Sequence, residues 1–284
     1  MRVAHLIIVH KGPTQVLRLL QRLQHPSFDL FVHVDGKVAI EHFKSLKNEA
    51  DFMFIKNRVA CHWGGNSVLT SILNSVQEIL NSGEKYDFVN VISGQDYPLM
   101  SPEKMLAFFN ANRKTNFISF DDSPHSEWWK LARDRYEKYH FTDLNFKGKY
   151  MLQKIANTIL PKRKFPHYTT LYGGTKSSWW TVTSDCASYI VNTLEENPRL
   201  KRFLKYVWCT DEFVVATIIM NSHFKDRTVN DNLRYIDWSE QNPSPKTLTI
   251  NDLNKISASR MMFARKFDVE VDTSVLDILD QNLY

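Results

Sequence analysis

Val3-Ala4-His5-Leu6-Ile7-Ile8-Val9-His10-Lys11-Gly12-Pro13 begins with an apolar run and ends in a polar turn. A short apolar run without strict alternation reads as a parallel strand buried on both faces. His10-Lys11-Gly12-Pro13 turns out of that strand. Thr14 then caps a helix with Val16, Leu19, Leu20 and Leu23 on one face. The pattern continues with a second apolar strand over 28–34, ended by Asp35-Gly36-Lys37, a short helix over 40–48 and a third strand over 52–55. Helical spacing of Val68, Ile72, Val76 and Ile79 predicts a helix over 66–82, and 86–93 read as a fourth strand. Such alternation predicts an α/β fold: an open, mostly parallel central sheet flanked by helices. Ligands of such sheets sit beyond the carboxyl ends of the strands.

The second half is less regular. Residues 117–120 read as a strand, followed by a polar and aromatic stretch to about Pro166. Strands are predicted over 179–183 and 233–238, and helices over 186–195, 212–221 and 274–283. No linker is long enough to divide the 284 residues, so one domain is expected. Its 43% hydrophobic and 24% charged content are those of a globular chain. The net charge of +5 suits an anionic ligand or surface. No arginine-rich tail or RNA-binding signature accompanies it, so nucleic acid is not an expected partner. Cys61, Cys186 and Cys209 lie far apart without metal-like spacing, which points to a reducing compartment and no disulfide framework. The apolar run at the N-terminus is too short and too interrupted for a signal segment or membrane span. A cytoplasmic protein is the expectation.

Three groups of residues carry the chemistry. The strand ends His10-Lys11, Asp35-Gly36-Lys37 and Ser93-Gly94-Gln95-Asp96-Tyr97-Pro98 would converge at one edge of a parallel sheet. There an Asp either contacts a ribose or base, or caps a turn. In Trp63-Gly64-Gly65-Asn66-Ser67 the glycines permit either a close backbone approach to a ligand or a simple turn. Asn66 or Ser67 then caps the following helix. In Trp208-Cys209-Thr210-Asp211-Glu212, two carboxylates precede an apolar helix. One suffices as a cap, which leaves the second for general-base work. Near the C-terminus, Met261-Met262-Phe263-Ala264-Arg265-Lys266-Phe267-Asp268 holds two adjacent cations between phenylalanines, suited to a diphosphate.

The ordered set His33–Lys37, Trp63–Ser67, Ser93–Leu99, Thr210–Glu212 and Phe263–Asp268 resembles the core-2/I-branching β-1,6-N-acetylglucosaminyltransferase family, which includes peptide-O-xylosyltransferases. The resemblance runs from about Val3 to Leu283. It implies a glycosyltransferase-A-like fold and an inverting, metal-independent transfer from a UDP-sugar (N-acetylglucosamine or xylose) to a glycan hydroxyl, with no cofactor. By resemblance Glu212 is the general base, with Asp211 or Asp96 as alternatives. Lys266 binds the diphosphate beside Arg265, and Lys246 stands where the family has an arginine. His10 and Asp35 fall on the nucleotide side. Trp128, Trp129, Lys130, Arg133, Tyr235 and Asp237 fall on the acceptor side. Residues 1–100 thus form a nucleotide-binding half, and 101–284 an acceptor-binding half with the diphosphate-binding segment. Secretory members of the family carry an anchor, a stem and disulfides. Their absence here points to a bacterial-type member that works in the cytoplasm on a surface polysaccharide.

Two alternatives remain open. Asp121-Asp122 follows a strand where metal-dependent members of the fold place their acidic motif, and Asp268, Glu270 and Asp272 would share one strand face. A metal-dependent transferase is therefore one alternative, and a non-catalytic sugar- or nucleotide-binding protein the other. Residues 147–164 place Lys147, Lys149, Lys154, Lys162, Arg163 and Lys164 around Met151, Ile155 and Ile159. That segment reads either as peripheral contact with an anionic membrane presenting a lipid-linked glycan, or as a solvated basic helix packing one apolar stripe.

Overall fold

Two sheets organise the chain. The computed structural model describes residues 1–121 and 126–282. In chain order the first half runs β1 (Val3–Val9), α1 (Pro13–Arg22), β2 (Phe28–Val34), α2 (Glu41–Lys44), β3 (Met53–Phe54), α3 (Asn66–Leu80), β4 (Phe88–Ser93), β5 (Asp96–Pro98) and α4 (Pro102–Ala111). The second half runs β6 (Asn116–Phe117), α5 (Glu127–Glu137), α6 (Lys149–Ile159), β7 (Thr181–Thr183), α7 (Ser184–Glu195), α8 (Pro198–Leu204), α9 (Val214–Met220), β8 (Thr228–Val229), β9 (Arg234–Ile236), α10 (Leu253–Ser259), β10 (Phe263–Arg265) and α11 (Ser274–Asn282).

The larger sheet has the order β3-β2-β1-β4-β7-β6-β8, and the smaller one β5-β10-β9. β1 pairs in parallel with β2 and β4, with Ile7 opposite Val32 and Ile92. β7 is antiparallel to both β4 and β6. This is the mixed, mostly parallel α/β architecture that the strand–helix alternation predicts.

Both faces of β1 are buried, which is why its sequence is apolar apart from His5. Val3, Ile7 and Val9 pack with Val16, Leu19 and Leu20 of α1 and with Phe109 of α4. Ala4 and Leu6 pack on the opposite face with Ile72 and Val76 of α3 and with Ile190 of α7. Each such fully buried side chain contributes roughly 1.5–3 kcal/mol relative to exposure. A third cluster of Tyr97, Ala264, Phe267, Val275 and Leu276 seats the small sheet against α11.

Several boundaries differ from the sequence expectation. Gly12, not Thr14, precedes the first helix; its positive φ of 63° turns the chain into Pro13. Neither Asn66 nor Ser67 caps α3, because Gly65 holds that position. The strand expected over 117–120 shortens to Asn116–Phe117, since Phe120 bonds the Asn230 side chain instead of a neighbouring strand. The helix expected over 212–221 starts two residues later, and Thr210–Glu212 forms a separate 3-10 turn. Asp268–Asp272 is a turn rather than a strand. Asp268 pairs with Lys11 at 2.6 Å and Asp272 precedes α11. The polar stretch before Pro166 holds α5 and α6.

Candidate active site

The carboxyl ends of β1, β2 and β4 open onto a cleft of about 510 Å³. His10, Asp35, Lys37, Ser93 and Gln95 line it from the parallel half. Trp179, Asp211, Glu212, Trp238, Arg265 and Lys266 line it from the remainder. A roomier recess of about 860 Å³ runs along α3 beside β3, away from these strand ends, and its lining includes neither Glu212 nor Lys266. The cleft, where titratable and cationic groups meet, is the candidate site.

On the first-half side, Asp35 is buried and its Oδ1 accepts the backbone N–H of Lys37 at 2.8 Å and of Cys61 at 3.3 Å. The Lys37 ammonium lies 3.8 Å from the same carboxylate. The turn after β2 is thus fixed by its own aspartate while that aspartate still faces the cleft. Burial, reinforced by Lys11, lowers the pKa of His10. The shift favours the neutral ring.

Glu212 is placed by a sharp turn. Cys209 takes a left-handed conformation (φ 49°), and its N–H donates to Gly64 O at 2.7 Å. The following 3-10 turn presents Asp211 and Glu212 before the buried α9. Glu212 pairs with the Arg135 guanidinium through Oε2 and Nη1. Burial lifts the Glu212 carboxyl to about 7, with Arg135 opposing the lift and Asp211 adding to it. A carboxyl poised near neutrality suits proton abstraction. Burial also raises Asp211, against a hydrogen bond from Ser178.

The two C-terminal cations have different surroundings. Arg265 Nη1 donates to Asp96 at 2.9 Å, and its guanidinium lies over the Trp179 ring at 4.6 Å. Asp96 is fully buried, faces Arg234 at 3.6 Å as well, and accepts the Ser93 N–H at 3.2 Å. It does not line the cleft, so it fits a structural anion rather than an alternative base. Lys266 donates to Ser244 Oγ at 3.0 Å and, among the described residues, forms no ion pair. Burial and the neighbouring Arg265 lower its pKa. Lys246 is held at 2.6 Å by Asp252 and is not part of the cleft lining, although Ser244 and Pro245 are. Its charge is thus already matched.

The expected acceptor residues do not line the cleft. Trp129 is buried against Phe213, Lys130 pairs with Glu127 on the surface, and Arg133 is exposed. Trp128 stacks on Arg135 at 5.0 Å. Tyr235 packs beside the third apolar cluster, and Asp237 turns inward to accept the Ser239 N–H at 2.8 Å. Asp121 accepts the Ser126 hydroxyl at 2.8 Å and bridges Gly173; Asp122 lies outside the described residues. Among the described residues, no three His, Cys, Asp or Glu side chains group as metal ligands would.

Sequence reasoning leaves Arg135 and Trp238 unassigned and takes Trp63 only as part of its glycine turn. Arg135 follows Trp128 by seven residues, hence on the same helix face. That spacing is the available signal. Trp63 is 65% exposed at the cleft and meets Trp208 edge-on at 5.7 Å. The close approaches permitted by Gly64 and Gly65 are to Trp208 and Asp143, not to the backbone of a ligand site: a Cβ on either would overlap those side chains.

A raised carboxyl and a lysine ammonium bonded to a hydroxyl share one cleft beyond parallel strand ends, an arrangement suited to an anionic, hydroxyl-bearing ligand. The chain belongs to the Core-2/I-Branching enzyme family, whose model matches residues 3–262. It is similar to xylosyltransferase 2 of Canis lupus familiaris, with 28% identity over 308 residues covering all of this chain and 34% of the relative. It is also similar to the xylosyltransferase of Ciona intestinalis, with 25% identity over 303 residues and the same coverage. The chain thus spans about a third of the length of these curated relatives. Among solved structures, apo mouse xyloside xylosyltransferase 1 aligns with a TM-score of 0.43 and 10% identity, covering 92% of this chain and 97% of that one.

Proposed function

We propose that this protein is an inverting glycosyltransferase that moves xylose or N-acetylglucosamine from a UDP-sugar to a hydroxyl of a glycan acceptor. The observation that carries the reading is the presence in one cleft of Glu212, raised to about 7, and Lys266, whose ammonium bonds the Ser244 hydroxyl rather than a carboxylate. Glu212 takes the proton of the acceptor hydroxyl. The oxygen attacks the anomeric carbon as the bond to the diphosphate breaks on the opposite face. The electron pair leaves with UDP, and Lys266 stabilises the developing charge in place of a metal ion. Asp35 and neutral His10 contact the nucleoside, and Trp63 and Trp238 offer flat faces to a sugar. The names of the similar xylosyltransferases favour xylose as donor.

The three unpaired cysteines accord with a reducing compartment, and hence with a bacterial-type enzyme acting in the cytoplasm on a surface polysaccharide or its lipid-linked precursor. Thermal shift against a panel of UDP-sugars tests the donor. The preferred donor should raise the Tm most, by mass action, and the shift should persist in EDTA. No shift with any UDP-sugar overturns the reading. Loss of turnover in EDTA with recovery in Mn²⁺ overturns its metal-independent part.

A further inference from the structure

Helix α6 is amphipathic the wrong way round for a helix that serves only to close a core. Its inward side is polar. Gln153 Oε1 accepts the Phe141 N–H at 2.8 Å, and Asn157 both accepts from Tyr139 N at 2.7 Å and donates to Tyr139 O at 2.9 Å. Lys149 donates to the carbonyls of Thr142 and Leu144 at 2.8 and 2.9 Å. Ala156 is the buried residue of the helix. At 3.6 residues per turn, Met151, Leu152, Ile155 and Ile159 fall on the opposite arc. All four are exposed, Met151 by 69% and Ile159 by 73%. The helix therefore does not pack its apolar stripe inward, as the solvated-helix reading requires. It is pinned by hydrogen bonds and directs that stripe away from the protein.

The charge around the stripe selects its partner. Residues 145–164 contain six Lys or Arg and no Asp or Glu. Lys147, Lys154 and Lys164 are exposed at this segment. A second copy would bring the same cations against each other across a two-fold contact, which disfavours self-association. An apolar stripe rimmed by lysines fits the boundary between acyl chains and anionic headgroups. No helix among the described residues is long and apolar enough to cross a membrane. α6 itself, with 11 residues, is about 16 Å long. It would lie in the interface rather than span it.

The geometry points to the outer face of α6 as a docking surface for an anionic lipid bilayer. This inference is independent of the transfer chemistry, because vesicle binding is measured without donor or acceptor. The test is co-sedimentation of the full chain with phosphatidylcholine vesicles, with and without phosphatidylglycerol, at low and high salt. The Ile155→Ser/Ile159→Ser variant is run alongside, with circular dichroism to confirm its fold. The expected result is binding at least about tenfold stronger to the anionic vesicles, weakened by salt. The variant should lose about tenfold or more. Absence of binding to anionic vesicles at low salt overturns the inference, as does unchanged binding by the variant. A dimer seen by analytical ultracentrifugation that the same variant dissociates also overturns it, by assigning the face to a second copy.

Discussion

At the scale of single residues, the site turns on how one cleft treats two charges differently. Glu212 is desolvated and held by Arg135, which leaves its carboxyl near 7. The deprotonated form is the base, so transfer should rise with pH and level off above an inflection near 7. Glu212→Gln should lower turnover by about 10²–10⁴-fold, the usual share of general-base catalysis. Arg135 favours the charged carboxylate, so Arg135→Leu should move the inflection to higher pH as well as lowering the rate. A pH–rate profile of both proteins checks this, and an unmoved inflection refutes the pairing. Lys266 hydrogen-bonds a neutral group, Ser244, and feels Asp268 and Glu240 only through space, so its ammonium can still serve a bound anion. Lys266→Ala should cost on the order of 10²–10³ in kcat, the cost of losing one preorganised partner of a developing charge. Arg265→Ala should act differently. Its guanidinium is tied to Asp96, so its removal should lower thermal stability together with activity.

At the scale of elements, the turn before α3 shows how the cleft wall is kept in place. Asp143 accepts the Ser67 N–H at 3.0 Å and its hydroxyl at 2.6 Å, and Gly65 leaves the room that its carboxylate occupies. Asp143→Ala should therefore cost about 1 kcal/mol, as loss of a helix cap does. Gly65→Ala should cost about 1–3 kcal/mol by overpacking. The two should be sub-additive, because the added methyl no longer meets a carboxylate once Asp143 is gone. Urea denaturation of both single variants and the double variant measures this. β1, β2, β4 and the long α3 are legible in the sequence because continuous apolar runs and the spacing of Val68, Ile72, Val76 and Ile79 depend on local burial alone. β5, β9 and β10, with three residues each, carry no periodicity of their own and exist through one another. The strand ends at His10 and Asp35 follow from the same logic, and they share one cleft with Glu212. The position of 128–133 relative to the cleft is not legible in that way. Which face of α5 meets the cleft depends on how Trp129 packs on Phe213, a contact between distant parts of the chain.

At the scale of the whole molecule, the question is whether the two sheets form one folding unit. A buried polar assembly joins them. Arg234 on β9 donates to Asn90 Oδ1 and to Val91 O on β4, at 2.7 Å each. It faces Asp96 on β5, which also receives Arg265 of β10. Asn90 in turn accepts from Thr181 of β7 at 2.8 Å and contacts His5 of β1 at 2.9 Å. Burial drives the His5 ring down to about 3, with Arg234 adding to the effect, so it stays neutral inside this assembly. One carboxylate thus faces two guanidiniums at the seam between the sheets, and one of these, Arg265, also lines the cleft. Removing it takes the salt-bridge partner from two desolvated cations, and breaking a buried pair in this way costs about 3–5 kcal/mol. Asp96→Ala should lower the unfolding free energy by about that amount. It should also weaken donor binding, because Arg265 loses its anchor. If the seam makes the sheets cooperative, the native chain should unfold in urea through one transition, with fluorescence and circular dichroism coincident. Two separated transitions would show the small sheet melting independently. The one-domain reading would then give way to a two-unit molecule in which Asp96 stabilises only the interface.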